Sequence, residues 1–171
     1  MFSLIEHAKI VEVQAPKDMT GAAITTEWIN MKNAQRINFL IALGVMTSTD
    51  NQAVQLYVAD DASGTHNVAL GASADLKLEH NYSRAASGDT WAKNVVSSST
   101  FNLTKSSDGK TFLVEVDAAK MGKFTKSSVS YDADYIRLAI ASPGAHACLM
   151  SVYAILTGLR YGQATPPTAI T

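Results

Sequence analysis

Arg36-Ile37-Asn38-Phe39-Leu40-Ile41-Ala42-Leu43-Gly44 sets Ile37, Phe39, Ile41 and Leu43 at alternate positions. Successive side chains of an extended strand point to opposite faces of a sheet, so this spacing gathers the four apolar groups on one face. The segment predicts a strand with one face in a core. The pattern recurs along the chain on both sides. Ile10, Val11 and Val13 open a strand near the start, and Val54, Leu56 and Val58 repeat the alternation with Gln55 and Tyr57 turned the other way. Val68 and Leu70, Leu76 and Leu78, and Phe101 and Leu103 mark shorter strands. Phe112, Val114 and Val116 alternate with Leu113, Glu115 and Asp117, Ile136, Leu138 and Ile140 alternate with Tyr135, Arg137 and Ala139, and Cys148 to Gly158 forms a long closing strand.

Turn chemistry separates these runs. Asp60-Asp61-Ala62-Ser63-Gly64, Ser106-Ser107-Asp108-Gly109-Lys110 and Ser142-Pro143-Gly144 carry the Asp, Gly and Pro residues that reverse a chain. Asp108-Gly109 predicts a hairpin joining Phe101-Thr104 to Thr111-Val116. Asp117 to Met121, followed by Gly122, predicts one capped helical turn, and Thr26 to Ala34 forms a second or stays extended. Ser83 to Thr100 reads as a long polar connection. Many short strands without intervening long helices imply an all-β fold: a two-sheet β-sandwich, jelly-roll-like, with at most one or two helical turns. The expected organisation is one sandwich domain over 1–159, with 1–8 as an N-terminal arm and 160–171 as an extended C-terminal arm.

At 171 residues the chain is long enough to bury about 70% of its unfolded surface without staples. Fourteen basic against fifteen acidic residues leave a formal charge of −1, without the excess that phosphate neutralisation requires, so nucleic acid is not an expected partner. Only 17% of residues are charged, which leaves a surface of Ser, Thr, Asn, Gln and Ala suited to assembly rather than electrostatic steering. No apolar stretch approaches the roughly 20 residues of a membrane helix, and Met1-Phe2-Ser3-Leu4-Ile5-Glu6-His7 lacks the basic start of a signal peptide. The expected site of synthesis and folding is a cytoplasm, with no membrane partner. Asn81-Tyr82-Ser83 and Asn102-Leu103-Thr104 then carry no glycosylation meaning.

No reaction is written in the motifs. His7, His66, His80 and His146 show no metal-ligand spacing, and the lone Cys148 reads as a buried small hydrophobe, with His146 two residues before it. Asp60 with Asp61, and Asp132 with Asp134, are carboxylate pairs of the kind a hard cation takes, but neither continues into an EF-hand spacing, and turn chemistry is the preferred reading. Gly109-Lys110-Thr111 imitates the end of a phosphate loop, but Thr104 stands where the motif needs glycine. Trp28, Trp91, Tyr57, Tyr82 and Tyr131 offer flat faces for a sugar, or simply aromatics for a core. Catalytic, metal and cofactor residues are therefore expected to be absent.

Three segments carry a resemblance: Ala15-Pro16-Lys17-Asp18-Met19-Thr20-Gly21-Ala22-Ala23-Ile24-Thr25-Thr26, Tyr135-Ile136-Arg137-Leu138-Ala139-Ile140-Ala141-Ser142-Pro143-Gly144, and Arg160-Tyr161-Gly162-Gln163-Ala164-Thr165-Pro166-Pro167-Thr168-Ala169-Ile170. Together they resemble the decoration, or cement, proteins and minor capsid proteins of tailed bacteriophages. The resemblance implies a non-enzymatic, β-rich virion subunit, often a homotrimer, made in the host cytoplasm. Its place would be the capsid exterior, bound to the major capsid protein and stabilising the head. An already extended Pro-Pro arm loses little entropy on docking, so Arg160, Tyr161, Gln163, Pro166 and Pro167 are the candidate inter-subunit or capsid contacts. The alternatives are a carbohydrate-binding β-sandwich and a minor head or tail component engaged in host attachment; a glycan array separates the first of these from a pure cement protein.

Overall fold

The computed structural model describes residues 7–47, 51–70, 76–81, 91–96, 100–103 and 109–159, with side chains outside 76–81 and 91–96. The chain runs through β1 (Ala8–Asp18), β2 (Ile24–Thr25), β3 (Ile29–Asn30), β4 (Arg36–Met46), β5 (Gln52–Ala59), β6 (Asn67–Ala69) and β7 (Leu76–Asn81). It continues through β8 (Trp91–Val96), β9 (Thr100–Leu103), β10 (Thr111–Asp117), α1 (Ala118–Met121), β11 (Lys123–Lys126), β12 (Val129–Asp132), β13 (Tyr135–Ile140) and β14 (Cys148–Thr157). One sheet has the order β1-β14-β4-β10-β7-β8. The other has β2-β13-β5-β6, with β3 also on β13 and β9 also on β5, and β11 pairs with β12 in a separate ribbon.

The pairings nest. β1 pairs with β14, β2 with β13, β4 with β10, and β5 with β6 and β9, all antiparallel. The chain is thus a long ribbon folded back on itself and wrapped between two sheets, the strand order of a jelly roll. The expected all-β sandwich is what forms, and its two layers bury the alternating residues. Ile37, Phe39, Ile41 and Leu43 of β4 are fully enclosed and belong to one apolar cluster with Val54, Leu56 and Val58 of β5 and Ile136, Leu138 and Ile140 of β13.

Local signals hold where the chemistry is local. Asp117 caps α1, its carboxylate accepting from the Ala119 N–H at 2.9 Å, and Gly122 ends the turn at φ 63°. Thr26 to Asn30 stays extended, and Met31 to Ala34 closes a turn in which the Ala34 N–H donates to the Met31 carbonyl at 3.1 Å. In the extended part the Thr26 N–H donates to the Leu138 carbonyl at 3.0 Å, and the Thr26 hydroxyl accepts from the Leu138 N–H at 3.1 Å. Those bonds, with the β2 and β3 pairings, dock the extended part on β13 in place of a helical turn.

Three expectations need correction. The segments flanking Asp108-Gly109 are not hairpin partners, because β9 pairs with β5 in one sheet while β10 pairs with β4 and β7 in the other. The Asp-Gly signal reports a chain reversal but not which sheet receives the next strand, and here the chain crosses between layers. Within the polar connection Ser83–Thr100, Trp91–Val96 forms β8, paired with β7. The hairpin β11–β12, which no alternation announced, turns through Ser127 at φ 52° and Ser128 at φ 66° and buries only Phe124. The first residues of the expected N-terminal arm lie outside the described residues, and Ala8 already belongs to β1.

Candidate functional site

The connection after β5 brings together three side chains able to bind a cation. Asp61 caps its own loop, accepting from the Ser63 hydroxyl at 2.8 Å and the Gly64 N–H at 2.7 Å. The Ser63 hydroxyl, with help from the backbone N–H groups of Gly64 and Thr65, holds the Asp61 carboxyl below its ordinary value of 3.8 against the opposing effect of burial. Asp60 Oδ2 lies 3.0 Å from His66 Nδ1. One donor atom from each of Asp60, Asp61 and His66 falls within 4.8 Å of the others. Asp60 Oδ1 is enclosed and has no hydrogen-bond partner.

A second element holds the imidazole. The His66 ring stacks on Tyr131 of β12, with centroids 4.3 Å apart and planes at 17°, and Tyr131 in turn stacks on Phe124 of β11 at 5.6 Å. Lys126 Nζ donates to the Thr65 carbonyl at 3.0 Å. The β11–β12 hairpin therefore grips the β5–β6 connection at a ring stack and a lysine.

The depressed carboxyls have a consequence in acid. Asp18 accepts from the Thr20 hydroxyl at 2.8 Å and from the Cys148 N–H at 3.2 Å, contacts that lower its pKa as those around Asp61 do. A carboxyl whose pKa falls on folding contributes stability above its unfolded value, and that contribution disappears as pH drops through the folded value. Stability is therefore expected to decline below about pH 4, and Asp61→Asn, which keeps the loop's acceptor oxygen, should flatten part of that decline. Denaturation midpoints at pH 6, 4 and 3 check this; parallel pH profiles for both proteins would refute it.

On the outer side of the β5–β13 pair, the Arg137 guanidinium lies 4.4 Å from the Trp28 ring centroid and 5.3 Å from that of Tyr57. Trp28 is 4% exposed, with Gly64 against its indole edge. Its face is covered, so it provides no sugar platform; it braces the fold by cation–π contact. Tyr131 is engaged by His66 and Phe124, Tyr82 lies outside the described residues, and the side chain of Trp91 is likewise undescribed.

The other candidates disperse. Asp132 pairs with Lys123 at 3.4 Å and Asp134 with Lys32 at 3.1 Å, so they form no shared cation loop. Cys148 is fully buried whereas His146 is exposed, which rules out a nucleophile pair. Gly109 lies in the crossing before β10, its N–H donating to the Gly44 carbonyl at 3.0 Å, and no helix follows it to hold phosphate. Sequence reasoning missed His66 as a companion of Asp60 and Asp61. Its signal was position alone, six residues on and across the turn.

Arg160, Tyr161, Gln163, Pro166 and Pro167 lie outside the described residues, but the root of their segment is defined. β14 ends at Thr157, whose carbonyl accepts from the Gln35 N–H at 3.1 Å. Gly158 follows at φ 62°, and Leu159 packs on the core. This root borders a cleft of about 770 Å³ whose wall includes Lys32, Gln35, Arg36, Asp117 and Asp134.

The sheet built on β1, β14, β4 and β10 carries an apolar patch, set among polar residues, on the side turned away from the core. Tyr153, Leu40 and Leu113 stand in register across β14, β4 and β10. Ile155 and Ile10 lie in the adjoining row, which continues through Asn38 on β4 to Glu115 on β10, and Ile10 is 52% exposed. Glu12, opposite Tyr153 on β1, and the Arg36–Glu115 pair at 3.5 Å place charges beside the apolar rows. Among the described residues, no helix is long and apolar enough to cross a membrane. No protein-family model matches the sequence, and no curated relative was found.

Proposed function

We propose that this chain is a non-enzymatic virion protein: a jelly-roll subunit that decorates the outer surface of a tailed-phage capsid, binds the major capsid protein and assembles with copies of itself as a homotrimer. The observation that carries this reading is the outward apolar patch on the β1-β14-β4-β10 sheet, where Leu40, Leu113, Tyr153, Ile155 and Ile10 stand in adjoining rows. Such a patch gains free energy when a protein partner removes it from water. The low charge density reduces the desolvation that such contact costs. Repeated capsid sites turn modest individual contacts into avidity, and the C-terminal segment supplies a second contact beginning at the end of the same sheet.

Quantitative mass spectrometry of purified virions encoded with this gene tests the reading. It expects copies in a fixed, large proportion to the major capsid protein and a trimer in native mass spectra. Ile155→Glu and deletion of 162–171 should each weaken binding to expanded capsids at least about tenfold, measured by co-sedimentation. Absence from virions, or full capsid binding by both variants, would overturn it.

A further inference from the structure

We propose that the cleft beside the end of β14 seats the start of this chain's own C-terminal segment, with the Arg160 guanidinium on the Asp117 carboxylate. The inference concerns the free subunit and does not depend on the capsid reading. Gln35 joins the two sides of the cleft wall: its N–H donates to the Thr157 carbonyl at 3.1 Å, and its carbonyl accepts from the Ala118 N–H at 2.8 Å. Thr157, Arg36 and Asp117 stand in one row across β14, β4 and β10. Two strand spacings, about 10 Å, separate the first from the last. Three extended residues, from Thr157 to Arg160, cover about 10 Å as well, before the long arginine side chain is counted. Gly158, at φ 62°, holds the chain against Gln35, where a methyl at its Cβ position would meet the Gln35 side chain at 2.8 Å. Leu159 then packs on the core, so Arg160 follows from a fixed point at the cleft rim.

Charge selects the occupant. The two cations of the wall are already taken, Lys32 by Asp134 at 3.1 Å and Arg36 by Glu115 at 3.5 Å. Asp117 is half-buried, and among the described residues no cation pairs with it. Its Oδ1 accepts from the Ala119 N–H as the cap of α1, which leaves Oδ2 for an arginine donor. Arg160 is the only charged side chain in 160–171. The segment therefore brings one cation to a wall with one uncommitted carboxylate. A half-exposed ion pair is weak when its partners meet from solution, but three residues of tether hold these two groups at high effective concentration. Seated in this way, Arg160 faces its own subunit, and the residues after it, through Pro166 and Pro167, start from a defined place on that subunit.

Trypsin cuts after Arg160 only when that side chain is free, so the rate at which the folded full chain releases the peptide after position 160, followed by mass spectrometry, reports the seat. Asp117→Asn removes the charge but keeps the α1 cap, because its amide oxygen still accepts from the Ala119 N–H. Release is expected to be about threefold faster or more in that variant, with the circular dichroism of the parent. Carbodiimide coupling of the Arg160→Lys chain gives a second readout. A direct bond between positions 160 and 117 is expected, with the Lys32–Asp134 pair at 3.1 Å as the internal control. An equal mixture of isotopically light and heavy chains shows whether both positions belong to one chain. Equal release rates from parent and Asp117→Asn, no coupling of 160 to 117 where the control couples, or coupling only between light and heavy chains would each overturn the assignment. Neither readout uses capsids, so failure of the capsid reading leaves both standing.

Discussion

Phe39→Ala is expected to lower the unfolding free energy by about 3–5 kcal/mol, the cost of removing a large side chain from a packed interior and leaving part of its volume unfilled. Phe39 is fully buried on β4, a strand paired on both sides, by β14 and β10. The second sheet supplies Leu56, Leu138 and Ile136 to the same cluster, so both layers meet at this strand. Neighbours held in two hydrogen-bonded sheets have little freedom to collapse into the space. Urea unfolding followed by circular dichroism measures the effect; an unchanged slope with a shifted midpoint shows that stability itself has changed. A loss under about 1 kcal/mol would show that the two layers do not close on Phe39.

Gly64→Ala is expected to cost about 2–5 kcal/mol, combining left-handed backbone strain with overpacking. Gly64 has φ 64°, and a methyl at its Cβ position would enter the edge of the Trp28 indole. Trp28 has no free space to retreat into, being 4% exposed and carrying the Arg137 guanidinium on its face. Gly21→Ala supplies the control: its φ of 70° imposes the same strain, yet nothing lies within 4 Å of the added methyl. The difference between the two variants isolates the contact with Trp28. A red shift in tryptophan emission should accompany Gly64→Ala alone. Equal destabilisation by both substitutions would remove the indole from the account.

Whatever depends on near neighbours was already legible in the order of residues. Alternation with period two named the long strands and their buried faces, because side-chain direction along a strand is set by the backbone alone. Asp117 and Gly122 announced α1 for the same reason: a cap and a left-handed stop act within a few residues. The order of strands was not legible, since alternation says which face is buried and nothing about which edge pairs. β8 and the β11–β12 hairpin escaped because hydrogen bonding to a neighbour, rather than an apolar stripe, defines them. That β9 and β10 part into different sheets, that Trp28 lies beneath Gly64 and Arg137, and that His66 meets Tyr131 from 65 positions away is visible in the folded chain alone. Those contacts arise when two layers close over a shared core, a long-range event that no local spacing encodes.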